Sequence, residues 1–225
     1  GTGYSSVLNE TGSLVVTVSG TPTWVTRDGD PFGGANTALY FDGDGDSLSI
    51  AAGDFDIGDS YGDNTIEMWL RPHYNGTQAS PMIWGIDNDN VQFAWSNSAY
   101  HHYWNTGNGL TAGNTGTGSV RDRTWHHLAW VFRKRFMEVY VDGVLKGTSA
   151  FTSDSTAANI KVFVHPTSSD NYFTGYLDQF RISEGIARYG GTQLRTAQQT
   201  HVSANADSGV ITSNSIFGSA NNIFS

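Results

Sequence analysis

The sequence predicts an all-β protein, an antiparallel β-sandwich. Apolar residues recur at every second position in eight segments, the spacing follows a period of two rather than 3.6, and glycine is abundant. Glycine accounts for 27 of 225 residues, about 12 % against a usual ~7 %, which calls for many tight turns between strands. Helices are expected to be short or absent.

In chain order the alternating segments are Ser13–Ser19, Ser47–Ile50, Thr65–Leu70, Val91–Trp95, His127–Phe132, Met137–Val141, Lys161–Val164 and Tyr176–Ile182. In each, one face is apolar and the other polar, as a half-buried strand requires. Between them lie turn-forming runs such as RDGDPFGG, GDGD, DNDN and NTGNGLTAGNTGTG. The clearest local signal is MEVYVDGVLK, where Met137, Val139 and Val141 alternate with Glu138 and Tyr140 before Asp142-Gly143. An Asp-Gly pair accepts positive φ at both central turn positions and so predicts a two-residue hairpin.

The length suits one sandwich, expected over residues 1–190. Residues 191–225 are polar, with Val210–Ile211, Ile216–Phe217 and Ile223–Phe224 as isolated apolar pairs. This tail reads either as a final strand with a frayed end or as an arm that docks on a neighbouring subunit. The charge is 12 Lys+Arg against 21 Asp+Glu, a net −9, which opposes polyphosphate and argues against a nucleic-acid partner. No apolar run approaches the ~18–20 residues that span a bilayer, so no membrane insertion is expected. The opening GTGYSSVLNE lacks the features of a signal peptide, and the absence of cysteine removes disulfides, thiolate metal sites and cysteine nucleophiles.

Four blocks together resemble a known family. They are Phe32-Gly33-Gly34 leading to Ala38–Asp46 (ALYFDGDGD), Asn64–Pro72 (NTIEMWLRP), Trp125–Val131 with Val139–Gly147 (WHHLAWV and VYVDGVLKG), and Phe173–Tyr189 (FTGYLDQFRISEGIARY). In this order they resemble the laminin-G-like, pentraxin-like branch of the concanavalin A-like lectin/glucanase superfamily. The resemblance runs over roughly residues 13–190 and implies two antiparallel sheets in jelly-roll order, with binding surfaces on loops or on the concave face. The ISEGIARY ending resembles structural proteins of tailed phages.

Catalysis is the weakest expectation. Glucanase relatives place two Glu and an Asp on one face of a strand, and the four glutamates here, Glu10, Glu67, Glu138 and Glu184, allow no such E-x-D-x-E face. Glu67 and Glu138 are expected on polar strand faces. No G-x-S-x-G elbow occurs. His101-His102 and His126-His127 are adjacent on strands, so neither pair chelates a metal through both rings, and the WHH pattern implies one buried, hydrogen-bonded ring beside Trp125.

Calcium is the better metal candidate, since Asp42, Asp44 and Asp46 alternate with glycines in a turn. The loop departs from an EF-hand further on, with Ser47 and Gly53 where that loop needs Gly and Glu. By the resemblance, Asp178 in GYLDQFRI matches the last-strand Asp that holds a convex-face calcium in glucanases. Alternatively Asp42 and Asp178 cap turns and pair with Arg181 or backbone amides. Glycan contact needs aromatic platforms beside polar groups. Tyr100, His101, His102, Tyr103 and Trp104, flanked by Asn97, Asn105 and Asn108, form the richest such segment, although Tyr103 and Trp104 also suit a core strand. Trp69, Trp84, Trp95, Trp125 and Trp130 are expected in the core. Arg133-Lys134-Arg135 is expected at a turn.

The leading expectation is a non-enzymatic virion protein of a tailed phage, displayed on the particle surface as a capsid decoration or tail-fibre attachment protein. Its partners would be major capsid or tail subunits, further copies of itself, and host-surface glycans. The alternative is a free or fused carbohydrate-binding or adhesion module, with calcium as a structural ion.

Overall fold

A computed structural model describes residues 16–25, 38–51, 56–57, 63–76, 80–87, 91–96, 98–99, 101–104, 112–133, 136–150, 155–156, 159–190 and 221–222. The strands are β1 (Val16–Ser19), β2 (Thr23–Val25), β3 (Ala38–Asp42), β4 (Ser47–Ala51), β5 (Asp56–Ile57), β6 (Asn64–Pro72), β7 (Met82–Ile86), β8 (Val91–Ser96) and β9 (His101–Trp104). They continue with β10 (Gly113–Asn114), β11 (His126–Arg133), β12 (Phe136–Val141), β13 (Val144–Ala150), β14 (Ser155–Thr156), β15 (Asn159–Val162), β16 (Thr174–Glu184) and β17 (Asn221–Asn222).

Two antiparallel sheets pack face to face. Sheet A has the order β1-β4-β15-β7-β8-β9-β10, and sheet B the order β13-β12-β11-β6-β16-β3-β2 with β17 paired to β16. Chain neighbours such as β3 and β4, or β15 and β16, fall in different sheets, so the chain crosses the sandwich repeatedly, as in a jelly roll. No helix occurs among the described residues.

The period-two pattern explains the layers. On β6, Ile66, Met68 and Leu70 enter the core, as do Leu128, Trp130 and Phe132 of β11 and Met137, Val139 and Val141 of β12. Leu48 and Ile50 of β4, Ile160 and Val162 of β15, and Phe93 and Trp95 of β8 meet them from sheet A. At the centre Trp84 stacks on Phe93 at 4.1 Å and meets Trp130 edge-on at 5.6 Å, which joins the two layers through ring contacts.

The Asp142-Gly143 hairpin forms as the sequence predicts, with φ of 50° and 76° at the two turn residues and Val141 paired to Val144. Strand β7, MIWGI, has no counterpart among the predicted strands because all five residues are buried and the run shows no alternation. The predicted Lys161–Val164 segment ends its pairing at Val162, since Phe163 takes a φ of 67°. Asn221 and Asn222 pair with Ile182 and Arg181, while residues 191–220 and 223–225 lie outside the described residues.

Candidate functional site

A groove of about 310 Å³ opens on the outer face of sheet A, where β4, β15 and the 163–172 loop meet. Strand parity builds its floor. With Leu48, Ile50, Ile160 and Val162 in the core, Ser47, Ser49 and Lys161 point outward between them. Lys161 lies opposite Ser49 in the β15–β4 register, and its Nζ donates to Ser49 Oγ at 3.0 Å.

The loop forms the wall, and Phe163 anchors it. Its positive φ is costly for a bulky residue, and the ring is held by stacking on Phe173 at 4.4 Å and edge contact with Phe41 at 4.6 Å. The Phe163 amide donates to Ile83 O at 3.0 Å, and the Phe173 amide donates to Phe163 O at 3.2 Å. Within the loop, the His165 amide donates to Asp170 O at 3.0 Å, Thr167 N–H to His165 Nδ1 at 3.3 Å, and Ser168 Oγ to Asp170 Oδ1 at 2.7 Å. His165 Nδ1 thus acts as an acceptor, which leaves the proton of a neutral ring on Nε2. Half-buried Tyr172 completes the lining. The groove offers an ammonium, several hydroxyls and a phenol ring at close quarters, a set suited to a polyhydroxylated ligand.

The outer face of sheet B divides into two halves. One half is aromatic, with half-buried Tyr40 and Tyr176 at 4.9 Å between ring centroids, Trp125 at 6.2 Å from Tyr176, and the Arg71 guanidinium 5.1 Å from the centre of the Tyr176 ring. The other half is covered by residues 185–190. Tyr189 packs with Ala129, Val131 and Tyr140, and beneath it Glu67 gathers charged partners.

Glu67 is fully buried among two guanidiniums, an imidazole and a phenol. The Arg181 guanidinium binds Oε1, Tyr189 O–H donates to Oε2 at 2.5 Å, His127 Nε2 lies 3.3 Å from Oε2, and Arg188 Nε lies 3.6 Å from Oε1. Burial alone would push this carboxyl up. The Arg181 charge, His127 and Arg188 overcome that and hold it well below its ordinary value of 4.5. Burial and Arg181 together lower the Arg188 guanidinium to about 10, against the pull of Glu67. Burial and the Glu67 charge raise the Tyr189 phenol.

Asp142 behaves similarly at the hairpin turn. Burial raises its carboxyl, but the His126 ring at 2.8 Å and the His127 amide at 2.8 Å lower it on balance. His126 Nε2 accepts the Arg121 amide at 2.9 Å, so Nδ1 carries the proton toward Asp142 and both ring nitrogens are engaged in structure. Groups whose folded pKa lies below the unfolded value stabilise the fold fully above the unfolded value, and that contribution is lost as pH falls through the folded pKa. Melting temperature is therefore expected to be level between pH 7 and about 5 and to fall progressively below about 4.5, with a shallower acid limb in Glu67→Gln; thermal scans across pH check this.

A laminin-G family profile described as "Concanavalin A-like lectin/glucanases superfamily" matches residues 41–187. The chain belongs to the concanavalin A-like lectin/glucanase superfamily. Among solved structures it is similar to domain 4 of AbnA, a GH43 extracellular arabinanase from Geobacillus stearothermophilus, solved in complex with arabinotriose. That match has 17 % identity and a TM-score of 0.53, covering 84 % of this chain and 88 % of that one. The botulinum neurotoxin serotype D ligand-binding domain, solved with N-acetylneuraminic acid, is similar at 11 % identity and TM-score 0.57. There the match covers 84 % of this chain and 46 % of that one, so this chain spans a little under half of the neurotoxin binding domain. These likenesses show the fold. No curated protein matches significantly in sequence.

For a superfamily member, the placement of the sequence-predicted residues is informative. Glu67 and Glu138 do lie on the faces opposite the core, but both are buried, Glu67 under Tyr189 and Glu138 with the Tyr140 hydroxyl at 2.9 Å and Arg133 at 3.6 Å. Both rings of the WHH pair are buried, where the sequence predicted one. Arg133 stands at the end of β11 as expected, and Lys134 and Arg135 lie outside the described residues.

The four aspartates are not brought together. Asp46 accepts the Thr21 amide at 2.6 Å and the Asp42 amide at 3.2 Å, and Asp42 accepts the Asp44 amide at 2.7 Å, so these carboxylates cap the turn. Asp42 pairs with Thr174, four residues from Asp178 along β16, a separation of roughly 13 Å at ~3.3 Å per residue. Asp178 sits at a bulge, accepting the Gln179 amide at 2.7 Å. Among the described residues no group of three or more His, Asp or Glu is placed to hold a metal ion.

The aromatic segment is corrected in part. Trp104 is buried, its ring wedged against Gly113 of β10 and Gly147 of β13, so it presents no platform to solvent. His101 is half-buried and its pKa is lowered by burial; Tyr100 and the side chains of His102 and Tyr103 lie outside the described residues. Trp84, Trp95 and Trp130 are core residues as predicted, but Trp69 and Trp125 are half-buried on the outside. For Trp69 the reason is parity: it falls between Met68 and Leu70, which face inward. The groove residues were missed, although Lys161 between Ile160 and Val162 carried the same signal.

Proposed function

We propose that this chain is a non-enzymatic attachment module that holds a glycan in the groove formed by β4, β15 and the 163–172 loop. The observation that carries the reading is the groove itself, with hydroxyls, a lysine and a half-buried tyrosine set in a fixed wall on the outer face of a lectin-type sandwich. Two similar folds were solved with sugars bound, arabinotriose in one and N-acetylneuraminic acid in the other. We place the module on the surface of a tailed-phage particle, as a capsid decoration or tail-fibre protein contacting major capsid or tail subunits. The resemblance of ISEGIARY to that class supports this setting, and here the segment is the cover of the buried Glu67 cluster.

The second reading is a free or enzyme-fused carbohydrate-binding module. It is favoured by the likeness to domain 4 of an extracellular arabinanase, which this fold matches over 88 % of its length. A glycan array probed with the wild-type chain and with Ser49→Trp, which fills the groove, tests binding. Signals lost in the variant support the groove, and signals unchanged by it exclude the groove as the site. Mass spectrometry of purified phage particles separates the two settings: stoichiometric presence supports the virion role, and absence supports the free module.

A further inference from the structure

We infer that the ligand of this groove is an acidic saccharide, bound through a sugar carboxylate against Lys161. This rests on the groove being a glycan site and names the class of glycan it selects. Lys161 is one of three lysines in a chain with 21 acidic residues, and it stands on the groove floor with a hydroxyl, Ser49 Oγ, at 3.0 Å. Among the described residues, no carboxylate forms an ion pair with it and no Asp or Glu lines the groove. Asp170, the one acid of the loop, lies outside the lining and accepts a hydrogen bond from Ser168.

The remaining polar groups are also arranged to donate. The Nδ1 of His165 is occupied by the Thr167 amide, so its ring proton sits on Nε2, and the Ser49 hydroxyl, which accepts from Lys161, keeps its own proton to donate. An ammonium, an imidazole N–H and hydroxyls, with no competing carboxylate among the described lining residues, favour an anionic group over a neutral hydroxymethyl. Tyr172 supplies the apolar wall for the ring that carries it. The net charge of −9 opposes an anion at long range, but fields beyond the ~8 Å Debye length are screened at physiological salt, so contact with Lys161 decides selectivity. The volume, about 310 Å³, is at the lower end of the ~300–1,000 Å³ of small-ligand sites and admits a short saccharide terminus rather than a long polyanion.

A sugar carboxylate comes from a uronic acid or from a nonulosonic acid such as N-acetylneuraminic acid. Calorimetric titration of the full chain therefore uses two matched pairs: a galacturonic acid trisaccharide against its carboxyl-reduced form, and sialyllactose against lactose. One acidic probe is expected to bind at least tenfold more tightly than its neutral partner, with affinity falling as salt rises, and which pair shows it identifies the source. Lys161→Gln is expected to remove the preference while the neutral probe is unaffected, and Lys161→Arg to retain it. Equal binding of acidic and neutral probes, lost in Ser49→Trp, overturns the charge selectivity and leaves the groove as a glycan site. Binding that persists in Ser49→Trp, or a preference that survives Lys161→Gln, overturns the inference as well, and the first of these also removes the groove reading.

Discussion

Glu67→Ala is expected to destabilise the protein by about 3–5 kcal/mol, the cost of breaking a buried ion pair from one side. The carboxylate is fully buried on the outer face of sheet B, accepts from Arg181 and the Tyr189 hydroxyl, and lies within ion-pair distance of Arg188 and His127. Its removal strands two buried guanidiniums and opens a void under the 185–190 cover, which then has less reason to stay closed. Glu67→Gln keeps the volume and one acceptor oxygen but loses the charge, so a smaller loss is expected. Tyr189→Phe deletes a single hydrogen bond to a charged group, with an expected loss of about 1.5–3 kcal/mol. Urea denaturation reads all three, with unchanged m-values marking an effect on the native state. A loss below about 1 kcal/mol in Glu67→Ala would mean that the cluster is solvated and the cover is dispensable.

Trp104→Ala is the second large effect, again about 3–5 kcal/mol, because it empties a ring-sized space in a packed interior. The ring lies against Gly113 of β10 and Gly147 of β13, and an added Cβ at either glycine would collide with it. It therefore ties the β10 edge of sheet A to the β13 edge of sheet B. The folded fraction of this variant is expected to bind glycan as the wild type does, since the ring is remote from solvent. A variant of normal stability that loses glycan binding would restore Trp104 as a sugar platform.

Most of the sandwich was legible because alternation reports which face a residue takes. Ile66, Met68 and Leu70, with Glu67 and Trp69 between them, give both the strand and its orientation. Strand β7 was silent for the opposite reason: buried on both faces, it has no polar phase. The same rule, applied to tryptophans one by one, would have moved Trp69 out of the core, where residue type alone had placed it. Long-range pairings were less accessible. Nothing in the order of the chain says that Tyr189 returns over Glu67, 122 residues earlier, or that Lys161 finds Ser49, 112 residues away. The groove depends on one such pairing together with the loop that Phe163 fixes, so its parts were visible in the sequence and their assembly was not.

The most direct test of the groove is an amide chemical-shift titration of the ¹⁵N-labelled chain with the strongest glycan from the array. A glycan held in the groove gives shifts centred on Ser49, Lys161, His165 and Tyr172. Shifts centred instead on Tyr40, Tyr176 and Trp125, across the sandwich on the aromatic half of sheet B, would contradict binding in the groove.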